Sequence, residues 1–329
     1  MQTLVLHNKQ AILKTVPDPV PEQGWVVAKI MATTICGSDK NAYHSCCPVC
    51  DAGHEGTGVV VDTDKSSLLK VGDRVVLNPI SGCGACEQCL TGNYIYCVNK
   101  PPFTSHFAQY VKIQDFVCSK LPDDISFEIG TLAGCALSPA FSSLKRLQVS
   151  AFDVVLVIGL GPVGLGAVTV AKFRGARVIG VEFNPYRQKL ALELGADLIL
   201  DPTDPDIAQK IAAFTKPGYL RKALDTSGNP QAERLAIDLV GPGGMVAFIG
   251  ENHSEIPIIP SRDFIRKGLT LLGSWHYNLN DKEEMMTILR HSKVAPKIIT
   301  HEFGFTQVQE AFDTFITGNT GKVLLKPWE

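Results

Sequence analysis

The sequence carries little charge for its 329 residues, and what it carries is balanced. Charged residues make up 19%, with 31 Lys and Arg against 33 Asp and Glu, for a net charge of −2. Without a basic surplus there is no electrostatic footprint for nucleic acid or for an anionic membrane surface. No secretory signal is visible, because Leu4-Val5-Leu6 is short, strand-like and followed by polar residues. That lack argues against a disulfide framework and for a cytoplasmic protein whose ten cysteines are metal ligands and buried thiols. Internal repeats and low-complexity stretches are also missing. The one long uncharged apolar run covers residues 154–171, but Gly159, Gly161, Pro162, Gly164 and Gly166 interrupt it. A strand, a turn and a helix explain that run better than a membrane span does. With 45% hydrophobic residues, the chain is long enough for two domains with substantial cores.

What is present begins with a run of cysteines. Cys83, Cys86, Cys89 and Cys97 follow the spacing C-x2-C-x2-C-x7-C. Short regular spacing lets sulfurs on tight turns converge on one tetrahedral centre, as a closed structural zinc site requires. Gly82, Gly84 and Gly92 suit such turns. An iron–sulfur cluster also takes four thiolates, but its usual spacings differ and the closing Cys-Pro is missing.

Up to about residue 147 the chain reads as short strands with turn punctuation, as in Val26-Val27-Ala28-Lys29-Ile30 and Arg74-Val75-Val76-Leu77. From Asp153 apolar strands alternate with amphipathic helices, which implies an α/β, doubly wound parallel sheet. After about residue 276, two helices and a last strand, Lys322-Val323-Leu324-Leu325, close the chain.

Within the α/β half, Val154-Val155-Leu156-Val157-Ile158 runs straight into Gly159-Leu160-Gly161-Pro162-Val163-Gly164. A G-x-G-x-x-G between a buried strand and a helix is the dinucleotide fingerprint, with the helix N-terminus offering free N–H groups to a pyrophosphate. Glu182 stands 18 residues beyond Gly164, where an acid accepts from the adenosine ribose hydroxyls and repels a 2′-phosphate. That predicts NAD rather than NADP. Arg187 reaches the same ribose in one reading and is a solvated helix residue in the other. Thr226, Gly250 and Ser274 follow successive strands, and ligands in such sheets bind beyond carboxyl strand ends, so these loops are expected around nicotinamide and substrate.

Upstream of the cysteine run stand Cys36-Gly37-Ser38-Asp39 and Gly53-His54-Glu55. A catalytic zinc takes two or three protein ligands and keeps a position open, and Cys36 and His54 suit it. Together with the cysteine run, the glycine fingerprint and the terminal Gly321-Lys322-Val323, these motifs resemble the zinc-dependent medium-chain alcohol and polyol dehydrogenases, including the sorbitol and threonine branches. The resemblance covers essentially the whole chain. It implies a GroES-like catalytic domain over 1–147 and 277–329 and a Rossmann NAD-binding domain over 148–276. It also implies two Zn2+ per chain, a small alcohol or polyol substrate and a homodimer or homotetramer. By resemblance, Cys36 and His54 are ligands of the catalytic zinc and Ser38 carries the alcohol proton towards the cofactor ribose. On the same resemblance, Cys135 of Gly134-Cys135-Ala136-Leu137-Ser138-Pro139 matches the alcohol branch's third ligand and is the residue expected there, with Glu55 beside the metal as the other residue able to complete the site.

Three departures from the family pattern bear on function. Ser138-Pro139 stands where the polyol branch has Glu-Pro. Asn41 stands where the family often has a relay His, and Asn does not exchange protons as a general acid or base, which makes His44 a substitute candidate. Cys46-Cys47-Pro48-Val49-Cys50 is an unusual density of cysteine, read as ordinary loop thiols against a redox-sensitive or metal-binding alternative. The polar residues Tyr43, His44, Trp275, His276 and Asn278 suit a hydroxyl-rich substrate, so a sugar alcohol, cyclitol or aminocyclitol is expected. A 3-hydroxy amino acid such as threonine, or a simple alcohol, is the alternative.

Overall fold

Strand Trp25–Thr34 has a nearly continuous buried face, and three strands pair with it. Its Val and Ile side chains suit a pleated, covered surface. In the computed structural model, which describes residues 1–66 and 68–329, this strand belongs to a seven-stranded sheet. The main path of that sheet runs Ile299–Gly304, Lys322–Lys326, Trp25–Thr34, Gly56–Thr63, Arg74–Leu77 and Cys118–Lys120, with Tyr110–Gln114 also paired to Trp25–Thr34. The hairpin Gln2–His7 and Gln10–Thr15 forms a separate two-stranded sheet. All of this lies in one unit, made of Met1–Ser138, Tyr277–His291 and Ile299–Glu329. One of its cores gathers Val26, Ile30, Val75, Leu77 and Tyr94; another gathers Leu4, Leu6, Phe107, Phe312 and Leu325.

The second unit, Pro139–His276 with Ser292–Ile298, is built on a six-stranded sheet that is parallel throughout. Its spatial order is Leu198–Leu200, Arg177–Val181, Val154–Ile158, Lys222–Asp225, Met245–Phe248, Thr270–Gly273. Counted along the chain, that is 3-2-1-4-5-6, the order of a dinucleotide-binding sheet. Val154–Ile158 sits at the centre, beside the crevice where the order reverses. The long apolar run therefore resolves into this strand and helix Pro162–Phe173. No helix among the described residues is long and apolar enough to cross a membrane.

The two units divide at Ser138 rather than at 147. Helix Ser138–Arg146 is tied to the parallel-sheet unit by its side chains: Arg174 covers the Phe141 ring, and Arg146 donates to the Gly273 carbonyl. The short segment 292–298 also falls in that unit. Neither attachment has a sequence signature, because both depend on contacts between distant residues.

Candidate functional site

Register brings the upstream motifs together. Strands Trp25–Thr34 and Gly56–Thr63 are antiparallel, with Thr33 opposite Gly56. Cys36 lies just past the end of the first strand, and His54 and Glu55 just before the start of the second, so the pairing makes them meet. Leu324 pairs with Thr34, which carries Lys322 to the same end of the sheet. Cys135 arrives from the turn ahead of helix Ser138–Arg146. One ligand atom from each of Cys36, His54, Glu55 and Cys135 lies within 4.8 Å of the others, and the two sulfurs are 3.7 Å apart. A tetrahedral zinc with bonds of about 2.3 Å sets its sulfurs about 3.8 Å apart, so this donor set fits that ion. Gly53 has φ +80°, and a Cβ there would fall 2.4 Å from the Phe107 ring; glycine alone turns the chain into His54 at this point.

Buried charges surround these donors. Asp39 accepts from the Cys36 N–H at 2.8 Å and the Gly53 N–H at 3.2 Å, and its Oδ1 is 4.0 Å from His54 Nδ1. Glu55 is fully buried; Thr34 Oγ1 donates to one carboxylate oxygen and Lys322 Nζ to the other. Lys322 also donates to the Ile35 carbonyl at 3.2 Å. Burial lifts Glu55 to about 7 against the pull of Lys322. At His54, burial opposes the charge, but Cys36 with Asp39 and Glu55 outweighs it and lifts the imidazole to about 9. The hydrogen bond from Cys135, with the charges of Lys322 and His54, holds the Cys36 thiol well below its ordinary value against burial. Cys135, the partner in that hydrogen bond and itself buried, is pushed well above its ordinary value. A thiolate stabilised beside cationic groups is the form in which cysteine ligates metal or attacks electrophiles.

Ser38 caps the N-terminus of helix Asp39–His44 with an exposed side chain that makes no capping bond, so its hydroxyl is free to meet a ligand two residues from Cys36. His44 ends the same helix, exposed, with Nδ1 2.8 Å from the Lys40 carbonyl oxygen. Six residues of helix separate it from Ser38 by about 9 Å, too far for direct proton exchange. Two residues expected to face substrate are occupied otherwise. Tyr43 is buried, donates to Asp313 at 2.8 Å and accepts from Gln309 at 2.9 Å. Asn278 donates to the Thr91 carbonyl and the Asn93 side chain, and so belongs to the cysteine-rich lobe. Their polarity, visible in sequence, serves internal bonding. Trp275 is partly exposed and His276 is buried at φ +49°.

In that lobe, ligand atoms of Cys83, Cys86, Cys89 and Cys97 also lie within 4.8 Å of one another. Cys83 and Cys89 are 3.9 Å apart and Cys86 and Cys89 3.6 Å, again the edges of a tetrahedron. Backbone N–H groups of Ala85 and Cys86 lower the Cys83 thiol to about 6, whereas burial raises Cys89 to about 12. All ten cysteines are free of disulfides.

The dinucleotide fingerprint has its own geometry. Gly159 has φ +85°, and a Cβ on Gly164 would stand 1.9 Å from the Gly159 carbonyl oxygen. By contrast, a Cβ on Gly161 would meet only Arg187 Nη1, at 4.0 Å, so the second glycine faces open space at the N-terminus of helix Pro162–Phe173. Pro162 and Val163 open that helix and are half-buried. Arg187 Nε is buried without a partner among the described residues. An open glycine at a helix start, with the Arg187 guanidinium 4.0 Å from where a Cβ would stand, fits a phosphate. Glu182 is already engaged: it accepts from Leu160 N at 2.8 Å, Phe183 N at 2.9 Å and Asn184 N at 3.0 Å. Three of its roughly four acceptor positions are therefore filled, and the acid braces the glycine turn. Thr226 donates to the Gly159 carbonyl and braces the turn from the other side. Gly250 abuts the Gly228 backbone, and Ser274 donates to the Pro139 carbonyl at 3.4 Å.

Sequence reasoning missed Thr34, Asp39 and Lys322 as neighbours of the four candidate metal donors. For Lys322 the available signal was a cation opening an otherwise apolar strand. For Asp39 it was an acid three residues after a candidate ligand cysteine.

Comparison with known proteins agrees with this geometry. Residues 22–123 match the alcohol dehydrogenase GroES-like domain and residues 162–291 the zinc-binding dehydrogenase domain. Sorbitol dehydrogenase of Bacillus subtilis is 32% identical over 95% of this chain and 93% of its own length. L-threonine 3-dehydrogenase of Caldanaerobacter subterraneus is 31% identical over 96% and 94%. The solved alcohol dehydrogenase of Thermus sp. ATN1 superposes with a TM-score of 0.91 at 26% identity, covering 99% of this chain and 100% of that one. The chain belongs to the zinc-dependent medium-chain alcohol and polyol dehydrogenases, with a GroES-like domain and a Rossmann-like domain.

Proposed function

We propose that this protein oxidises a secondary alcohol of the polyol, cyclitol or aminocyclitol class with NAD+, reversibly. The observation that carries the reading is the convergence of Cys36, His54, Glu55 and Cys135 on one centre whose sulfur spacing suits zinc. When bound, zinc supplies Lewis-acid polarisation of the alcohol oxygen and NAD+ accepts the hydride. The chain's own residues do the rest. Cys36, His54 and Cys135 would hold the metal, while Glu55, paired with Lys322 and hydrogen-bonded by Thr34, would stand within reach as a fourth donor. Asp39 orients Cys36 and Gly53 through their N–H groups. Ser38 takes the alcohol proton; since His44 lies a helix length away, water rather than His44 carries it on. Gly161, the start of helix Pro162–Phe173 and Arg187 receive the phosphates, and Glu182, with one acceptor position left beside its three backbone N–H partners, accepts from an adenosine ribose hydroxyl.

A simple secondary alcohol is the second reading, favoured by Cys135 in the place of a glutamate ligand and by the internal use of Tyr43 and Asn278. A screen of NAD+ reduction across polyols, cyclitols, 3-hydroxy amino acids and simple alcohols decides between them. The highest kcat/KM is expected with a polyol or cyclitol; the highest value with a monohydric alcohol establishes the second reading. Faster turnover with NADP+ than with NAD+ counts against Glu182 as the selecting acid.

A further inference from the structure

Outside the two donor clusters stand half-buried Cys118 and three exposed cysteines, Cys46, Cys47 and Cys50. Cys46 Sγ and Cys47 Sγ are 3.9 Å apart. The same separation recurs in both buried clusters, at 3.7 Å between Cys36 and Cys135 and at 3.6 and 3.9 Å in the four-cysteine lobe. It is about twice a disulfide bond length and matches the roughly 3.8 Å edge of a tetrahedral thiolate site. We infer that Cys46 and Cys47 form a third, solvent-accessible site for a thiophilic d10 cation such as Cd2+ or Zn2+, with water completing the coordination.

The backbone under the pair is already held in place, so binding does not have to order it. Val49 exchanges both backbone hydrogen bonds with Leu6, at 2.9 and 3.0 Å, and Asn8 N–H donates to the Ser45 carbonyl at 2.7 Å. Ser45 Oγ donates to the Cys47 carbonyl at 2.8 Å and accepts from the Cys47 N–H at 3.1 Å. Proline at 48 fixes the next turn and lends the loop no N–H to satisfy. Two thiols presented side by side on a fixed loop lose little freedom on chelation, which favours a bidentate grip on a soft ion over capture by one exposed thiol. With two protein ligands instead of four and open access to water, the ion held here exchanges faster than those of the buried clusters. The covalent chemistry is simple: each thiol gives up its proton to solvent as its sulfur lone pair binds the cation, and nothing is oxidised or reduced.

The test is a titration of the reduced holoenzyme with Cd2+, read as the thiolate-to-cadmium charge-transfer absorbance and as total zinc plus cadmium per chain after gel filtration. The wild-type protein is expected to hold one more ion per chain than the C46S/C47S double variant, and the double variant is expected to keep wild-type alcohol oxidation. The difference is independent of how many ions the buried clusters hold, so it stands apart from the proposed dehydrogenase chemistry. Equal totals in the two proteins overturn the site. Loss of the extra ion in C50S, with C46S/C47S retaining it, overturns the assignment of its ligands.

Discussion

Lys322 and Glu55 face each other with no exposure to solvent, 267 positions apart in the chain. Removing one member of such a pair leaves an uncompensated buried charge, which costs about 3–5 kcal/mol, whereas removing both costs less. Lys322→Met is therefore expected to lower stability by about that amount, and adding Glu55→Gln to recover part of it, in a double-mutant cycle of denaturant unfolding. An additive double variant would show that the pair is not coupled. The neighbouring prediction concerns the metal. Cys36→Ser is expected to lose one zinc per chain by elemental analysis and at least a hundredfold in kcat/KM, while the four-cysteine lobe keeps its own ion; a second-sphere or outer-ligand role alone would cost only about 10–100-fold. A C36S enzyme with full NAD-dependent activity would remove the catalytic-zinc reading. That Cys36, His54 and Cys135 are candidate donors is readable in sequence because ligand chemistry allows few residue types; that their ligand atoms converge is seen only in the fold. Tyr43 and Asn278 were misread because a polar side chain looks the same in sequence whether it meets substrate or a buried neighbour.

The glycine turn and the helix it opens act as one element. Gly164→Ala would place a Cβ 1.9 Å from the Gly159 carbonyl oxygen within the turn and 2.8 Å from Thr226 Oγ1, which braces it. Overpacking of this kind costs about 1–3 kcal/mol, and the displaced turn moves N–H groups off the phosphates. The expected result is an NADH affinity at least tenfold weaker by fluorescence titration; unchanged affinity would show that the turn does not hold the dinucleotide. A second element, the helical turn Pro260–Ile265, is anchored through buried Asp263. Arg234 and Arg262 both donate to this carboxylate, as does Ile259 N–H, and they hold it well below the usual carboxylate range. A depressed acid adds stability above its unfolded value of about 3.9, and that stability is lost as pH falls below it. Asp263→Asn is expected to lower the Tm at neutral pH, with the gap to wild type narrowing as pH drops through about 4. A gap constant with pH would assign the loss to geometry instead of charge. The strand–turn–helix order was legible from the glycine spacing, but Glu182's role as a brace for the turn was not. That role depends on three backbone N–H groups that only the folded turn aims at it.

For the molecule as a whole, the four-cysteine lobe is expected to govern integrity more than chemistry. Cys97→Ser should release one zinc per chain and lower the Tm, because a structural site's binding energy is folding energy. An unchanged Tm with one ion lost would show that the lobe folds without metal. Short-range order wrote most of this protein into its sequence. The two architectures, the four-cysteine centre, the glycine turn and the Cys36–Asp39 and Gly53–Glu55 motifs each depend on residues within one local segment, where spacing limits geometry. The division at Ser138, the seating of Lys322 against Glu55 and the sulfur spacing at Cys46–Cys47 came only with the folded chain. Strand register and side-chain direction set these contacts, and both are cooperative outcomes of packing between segments that no local pattern encodes.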